Sequence, residues 1–461
     1  MVILSKKKFG RISKVRKNSV VVAGGEFGDE GKGKLTDAWV SKFAKKGRVI
    51  VYRDNGGANA GHTLEFENGK RVALHQLASG IFIKKAIVFL SKGMVIHPSD
   101  LVEEINQVKI VAGKDTAKIL IDEMAVLALD THRAFEAVLK TWEDGGKGST
   151  AKGISPAYSD VLLRHPLRIR DLAYWNQEKI EKHYRLYEAL IKGLGADLAK
   201  VEVSSSSGKI LVGKIDIFIK RLKYFTDKIR PMVINSTDFL KKNWADEKVA
   251  FVFEKAMAIG LDARWGVYPD ITASDTTFEG IRFSSEGIID PDQIEKRVIV
   301  LKGTYMSSVG SRKIPTLMNN ELAEKIRLDC KEFGATTGRV RDIAYIDLPA
   351  IKFYKKVSRP NYLIQTHVDV TYPMTPIKIC VAYKIKGKKV DYRPDQEFLN
   401  KVTPKYIEMP SWNGEKVREA KNFNELPKNA RDFLNYISDE LELPLLAVST
   451  GPGRDHWFEC S

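Results

Sequence analysis

A run of β-branched residues that breaks into glycines makes the first fold decision for this chain. In SVVVAGGEFGDEGKGKLT, from Ser19 to Thr36, Val20 to Val22 give way to glycines at 24, 25, 28, 31 and 33, interleaved with Asp29, Glu30, Lys32 and Lys34. The pattern predicts a buried strand feeding a glycine-rich turn. Glycines let a backbone approach a ligand closely and turn N–H groups inward, and the lysines beside them add positive charge, so the loop reads as a phosphate cradle. It departs from the common P-loop, because Gly31-Lys32 is followed by Gly33 where that motif needs a hydroxyl. A different hard ligand for magnesium is then required, and Asp29 is the candidate.

A second loop follows the same plan. After the apolar run Arg48 to Tyr52 comes RDNGGANAGHT, Arg53 to Thr63, whose glycines free the backbone beside Asn59, His62 and Thr63. An imidazole and a carboxylate in two facing loops suit an acid–base pair at neutral pH. Up to about Leu127, short runs such as AIVFLSKG and AKILID alternate with helical stretches such as SDLVEEINQVKIVAG. That alternation predicts an α/β fold: a large, mostly parallel, doubly wound central sheet with helical and loop insertions, ligands lying at the carboxyl ends of its strands. Residues 173–245 are predicted to be helical, with Pro231 ending the amphipathic segment IDIFIKRLKYFTDKIRPMV. His75 and His97 read as structural.

The two glycine loops, GDEGKGK and GGANAGHT, resemble in this order the adenylosuccinate synthetase family, and further matches run from about residue 19 to 455. The resemblance implies one α/β domain, 19–461, behind a basic tail, 1–18. It also implies a GTP- and Mg2+-dependent ligase that joins L-aspartate to IMP through a 6-phosphoryl intermediate. It assigns Asp29, His62 and Lys32 to catalysis, with Asp29 and Gly61 at the metal. For GTP it implies Gly28, Glu30, Gly31, Gly33, Lys34, Gly61 and Thr63. The segment YLIQTHVDVTYP resembles the family's TKLD guanine reader and adds His367 and Asp369; the terminal STGP adds Ser449, Thr450 and Gly451 over the base.

For IMP, the resemblance implies Asp29, Asn59, Thr150, Arg164, Met257, Thr272 and Arg339, with Arg164 reaching into the neighbouring subunit of a homodimer. The loop KEFGATTGRVRD implies an aspartate clamp of Ala335, Thr336, Thr337, Gly338, Arg339 and Arg341, since guanidinium binds carboxylate bidentately; Arg341 also falls to GTP. Two positions depart from the pattern. Met257 stands where the family carries an amide against the purine 6-oxygen, and His367 replaces a lysine. These departures keep open a same-fold synthase acting on (d)GMP, and a nucleotide-binding homologue with reduced turnover.

Composition sets the remaining bounds. The chain has 461 residues, and its apolar runs fall short of the roughly 18 residues of a membrane span. Cys330, Cys380 and Cys460 are few and scattered, which fits a reducing, cytoplasmic setting. The net charge of +17 admits nucleic-acid binding, but basic and acidic residues are interspersed and no basic-aromatic ladder appears. Anionic nucleotide substrates account for part of the same excess, so neither membrane nor nucleic acid is expected as the primary partner. Residues 1–18 hold seven Lys/Arg and no acid, the mark of a solvated tail.

Overall fold

The computed structural model describes residues 14–65, 71–113, 115–142, 150–165, 167–205, 208–308, 310, 312–334 and 338–460. Among these residues, ten strands form the central sheet. In chain order they are β1 (Arg16–Gly24), β2 (Val49–Arg53), β3 (Ala86–Leu90), β4 (Lys118–Asp122), β5 (Val233–Ile234), β6 (Ala250–Ala258), β7 (Ile294–Lys302), β8 (Tyr362–Thr366), β9 (Leu445–Ser449) and β10 (Trp457–Glu459). Their spatial order is β5-β4-β3-β2-β6-β1-β7-β8-β9-β10, and every neighbouring pair is parallel except β9 with β10. β1 begins at Arg16, inside the stretch expected to be tail, because the Arg16 guanidinium donates to the carbonyl of Asp246 at 2.9 Å.

The strands are apolar throughout because both faces of the sheet are covered. Successive side chains point to opposite faces, so Val20, Val22, Val49 and Val51 join one core while Val21, Ile50, Tyr52 and Phe253 join the other. The helices that cover the sheet or border its loops include α1 (Lys32–Ala44), α2 (Pro98–Ala112), α3 (Ile154–Leu162), α4 (Ile215–Ile229), α5 (Leu348–Ser358), α6 (Gly414–Glu419) and α7 (Lys428–Leu441). The first core takes Leu35 and Trp39 from α1, Leu101 and Ile105 from α2, and Phe218 from α4. The second takes Ile351 and Tyr354 from α5, and Phe433 and Ile437 from α7. Among the described residues no helix is long and apolar enough to cross a membrane, and the three cysteines are unbonded.

The segment 173–245 is not helical throughout. Glu202–Ser205 pairs antiparallel with Gly208–Leu211. In VEVSSSSGKIL the period is two: Val203 is buried while Glu202 and Ser204 are exposed. Gly208, at φ 121°, supplies backbone that a helix would not tolerate. α4 ends at Ile229, two residues before Pro231, as the sequence predicts.

Close backbone approach fixes the loop after β2. A Cβ on Gly57 would meet the Val95 carbonyl oxygen at 2.3 Å, and the Val95 N–H is itself bonded to Gly56 O at 2.8 Å, so that strand cannot step aside. Gly57→Ala is therefore expected to lower unfolding free energy by about 1–3 kcal/mol, the cost of overpacking. Gly193→Ala, with nothing within 4 Å of its Cβ, is the matched control. Equal denaturation midpoints for the two variants would contradict this packing.

Candidate active site

Because the sheet is parallel, the carboxyl ends of β1, β2, β6, β7, β8 and β9 open on one edge, and the loops leaving them line one continuous cleft of about 2270 Å³. A pocket for one small ligand measures about 300–1,000 Å³, so this cleft has room for more than one.

The glycine loop folds around its own acid. The Glu30 carboxylate is fully buried, accepts the N–H groups of Gly28 at 2.9 Å and Glu26 at 3.2 Å, and takes the Lys32 ammonium at 2.6 Å. Gly28, Asp29 and Gly31 have φ of 108°, 58° and 81°, which lets the chain reverse before α1 starts at Lys32. Gly28, Asp29, Gly31, Lys32, Gly33 and Lys34 all face the cleft, whereas Glu30 lies beneath it. Lys34 spans to the last loop: its ammonium donates to Ser449 Oγ at 2.5 Å and to Gly451 O at 2.6 Å. Burial brings that ammonium down to about 8, against the opposing charge of Asp369. Thr450 is buried behind Ser449, and its N–H donates to His456 O at 2.9 Å.

Asn59, Gly61 and His62 come to the cleft from the second loop. Thr63 follows in a short strand, His62–Glu65. Asn59 accepts the Gly57 N–H at 3.0 Å, which sets the turn. His62 Nδ1 bonds to Glu254, a carboxylate in the middle of β6 that also accepts Ser79 N–H at 2.8 Å and Ser79 Oγ at 2.6 Å. Burial pushes the His62 ring toward its neutral form, and Glu254 opposes this. For Glu254 itself, burial raises the carboxyl, but the His62 and Arg53 charges and the His62 and Ser79 hydrogen bonds outweigh it and hold the group at about 2. Sequence reasoning missed Glu254, yet there was a signal: an acid inside the apolar run AFVFEKAMA has to have a partner.

His367, Asp369, Ser449 and Gly451 line the cleft, with Ser449 and Asp369 beside Lys34. His367 accepts or donates through Nδ1 with Thr366 Oγ1 at 3.0 Å, and burial beside Lys302 holds its ring neutral, down at about 3. Asp369 is 7 % exposed and pairs with Arg418 of α6 at 2.8 Å, a partner without a sequence signal, since EKVRE reads as an ordinary surface helix. Thr150, Met257 and Thr272 also reach the cleft, Met257 half-buried at φ 63°. Arg164 does not line it. It is exposed, at φ 63°, and follows two exposed leucines that do line the cleft, Leu162 at 84 % and Leu163 at 67 %.

Arg341 bridges Asp29 at 2.5 Å and Glu332 at 2.7 Å. Glu332 also takes Lys302 and the Tyr305 hydroxyl; burial raises its carboxyl, but Lys302, Arg341 and His367 hold it far below the usual range. Arg339 is exposed at the rim, and Gly338, at φ 65°, donates to Gly334 O at 2.7 Å. Ala335, Thr336 and Thr337 lie outside the described residues.

Magnesium prefers oxygen ligands, and the cleft supplies them at Asp29, whose carboxylate is 31 % exposed, and along the backbone at Gly61. Among the described residues, His132, Asp160 and His183 also converge, their ligand atoms within 4.8 Å of one another. That group is poorly suited to an ion. His132 Nδ1 accepts the Leu129 N–H at 2.9 Å, so the proton sits on Nε2 and is donated to Asp160 at 3.0 Å. A packed cluster of rings, with His132 and His183 centroids 4.8 Å apart, explains it better.

Comparison with known proteins agrees with this geometry. The family model described as adenylosuccinate synthetase matches residues 21–458. The adenylosuccinate synthetase of Pelodictyon phaeoclathratiforme is 32 % identical over 442 residues, covering 95 % of this chain and 96 % of that protein. That of Clostridium botulinum is 34 % identical over 446 residues, covering 95 % and 98 %. The fully ligated enzyme from Plasmodium falciparum superposes with a TM-score of 0.84 at 27 % identity, covering 96 % of this chain and all of the other (100 %). The succinoaminodeoxyadenylate synthetase of cyanophage S-2L, bound to dGMP and dATP, shares only the fold, at TM-score 0.58 and 16 % identity, covering 96 % and 95 %. A match of this extent means that the chain belongs to the adenylosuccinate synthetase family, GTP-dependent ligases that form a carbon–nitrogen bond.

Proposed function

We propose that this chain joins L-aspartate to IMP with GTP as phosphoryl donor, giving adenylosuccinate, GDP and phosphate. The observation that carries the reading is the meeting of Asp29, Lys32 and His62 on the wall of one cleft with space for two nucleotides. Asp29 takes the N1 proton of IMP, and the 6-oxygen attacks the γ-phosphorus of GTP. His62, with Nδ1 held by Glu254, acts as acid on the bridging oxygen through Nε2. Lys32 and the N–H groups at the start of α1 stabilise the charge that develops on the phosphoryl oxygens. The aspartate amine then displaces phosphate from C6.

Asp29 and the Gly61 backbone hold the magnesium ion, which neutralises charge on the phosphates when bound. Thr150, Thr272, Asn59 and Arg339 take the monophosphate end, with Met257 beside the purine. Gly28, Gly31, Gly33, Lys34, Gly61, Thr63 and Arg341 take the triphosphate, with Glu30 acting from beneath; His367, Asp369, Ser449, Thr450 and Gly451 surround its base. Ala335, Thr336, Thr337, Gly338, Arg339 and Arg341 clamp aspartate. Arg341 occupies the Asp29 carboxylate in this structure, so an arriving anion that draws Arg341 away frees Asp29 for its proton.

Phosphate release should require IMP and aspartate together with GTP. Asp29→Asn and His62→Asn are expected to lose about 10²–10⁴-fold in kcat with unchanged far-UV circular dichroism. Near-normal turnover in either removes the acid–base assignment. Glu254→Gln removes a charge that favours the protonated His62 ring, so the His62 pKa should fall. Since His62 acts as an acid, the fall of kcat with rising pH should move to lower pH; an unmoved profile would contradict its coupling to Glu254. GMP in place of IMP is expected to give little turnover, and preference for it would favour the (d)GMP reading that Met257 keeps open.

For the donor, Asp369 faces a base whose N1–H and 2-amino group both donate, whereas adenine offers an acceptor at N1. A buried carboxylate left against an acceptor costs more than the lost lysine stem at His367. GTP should therefore exceed ATP by roughly ten- to a hundredfold in kcat/KM. Equal use of ATP would show that Asp369 does not read the base.

The exposed Leu162 and Leu163 beside Arg164 support a homodimer in which Arg164 reaches the neighbouring monophosphate site. Arg164→Leu mixed with Asp29→Ala should regain activity through hybrid dimers carrying one intact site. Absence of recovery after proven subunit exchange would count against a shared site.

A further inference from the structure

Arg418 belongs to none of the segments that resemble the family's binding motifs, yet it lines the cleft at its base-binding end. Its Nε donates to Asp369 Oδ2 at 2.8 Å. Asp369 is 7 % exposed and the arginine side chain 55 %, so the guanidinium meets the carboxylate from the solvent side of the wall. The arrangement is built into the backbone. A Cβ on Gly414 would lie 2.1 Å from the Asp369 carbonyl oxygen, so α6 rests directly on the loop after β8. Trp412 Nε1 donates to Val368 O at 2.8 Å, and Thr371 Oγ1 donates to Trp412 O at 2.7 Å. These contacts, one at Gly414 and two through Trp412 just before it, fix the start of α6 against the Asp369 loop.

A carboxylate offers about four lone-pair sites. One, on Oδ2, is taken by Arg418, which leaves both oxygens able to accept from a ligand. An isolated carboxylate in the wall of a cleft favours turning back to water, and a paired one stays in place. His367, unlike a lysine, brings no long cationic stem to the base, and Arg418 brings one from another element.

We propose that Arg418 is a positioning residue for donor recognition: it holds the Asp369 carboxylate ready for a purine that presents N1–H and a 2-amino group together. The inference rests on GTP being the donor, and it adds that base selection in this chain depends on α6 as much as on the loop after β8. Removing the charge while keeping the stem leaves Asp369 free to rotate, and the second hydrogen bond from the base is lost first. ITP, which lacks the 2-amino group, is the probe for that bond.

The test compares the unmutated enzyme with Arg418→Met and Arg418→Lys, using GTP, ITP and ATP in steady-state rates and GDP, IDP and ADP in calorimetric binding. Arg418→Met is expected to raise the KM for GTP about tenfold, with kcat and the KM values for IMP and aspartate nearly unchanged. It should also bring the GTP-to-ITP ratio toward one. Arg418→Lys, which keeps a cation, should retain most of that ratio. A GTP-to-ITP ratio unchanged in Arg418→Met overturns the proposal, as does an equal loss for GTP, ITP and ATP, which would mean that the arginine only packs. Tighter binding of ADP than GDP by the unmutated enzyme would instead defeat the donor reading, whatever Arg418 does.

Discussion

The cleft depends on one buried carboxylate, that of Glu30. A loop rich in glycine has few side chains to define its shape, and its N–H groups need acceptors. Glu30 supplies them from inside, accepting from Glu26 and Gly28 and pairing with Lys32. The carboxylate lies so close to the strand end that a Cβ on Gly24 would meet its oxygen at 2.2 Å. With Glu30 fixed, α1 must begin at Lys32, and Lys34 then falls where its ammonium reaches Ser449 and Gly451. A contact between residues two apart in sequence thereby joins the first loop of the chain to the last.

Parallel pairing does the rest of the gathering. β6 returns from residue 250 to lie between β1 and β2, and brings Glu254 under His62. Thr366, at the end of β8, donates to Glu30 O at 2.9 Å and so ties the loop after β8 to the glycine loop. These contacts join residues hundreds of positions apart, and loops on a rigid sheet can hold them because the strands beneath are packed on both faces.

This division explains what could be read from the sequence. The parallel sheet was legible because apolar strands covered on both sides leave an unbroken signature, as in VVVAG and RVIVYR. The glycine loops were legible because the residues that allow close approach are adjacent in the chain. The pairing of Glu202–Ser205 with Gly208–Leu211 was not, since short alternating runs among serines are weak against the long helices on either side. Arg418 was not, because its significance lies entirely in what α6 is pressed against. Glu254 lies between these cases: its burial could be inferred from the strand around it, its partner could not.

A pattern recurs along the cleft wall and just beneath it. Each of four carboxylates is held by a cation of the chain itself: Glu30 by Lys32, Asp29 by Arg341, Asp369 by Arg418, and Glu254 by His62 when that ring is protonated. On the proposed reading the ligands are a triphosphate, a monophosphate and a dicarboxylate, all competitors for those cations. The pairs differ in how readily they exchange. Glu30 with Lys32 and Glu254 with His62 are buried, and separating them leaves a charge in low dielectric, so these pairs stay together while Lys32 and His62 face the ligand. Asp369 with Arg418 is held as well, because its carboxylate is buried and α6 is fixed against its loop, whereas Asp29 keeps access to solvent, so its pair with Arg341 is the one a ligand can rearrange at small cost. Exposure thus separates the charges that hold the cleft in shape from those that respond to what enters it, and Asp29, the proposed base, falls in the second group.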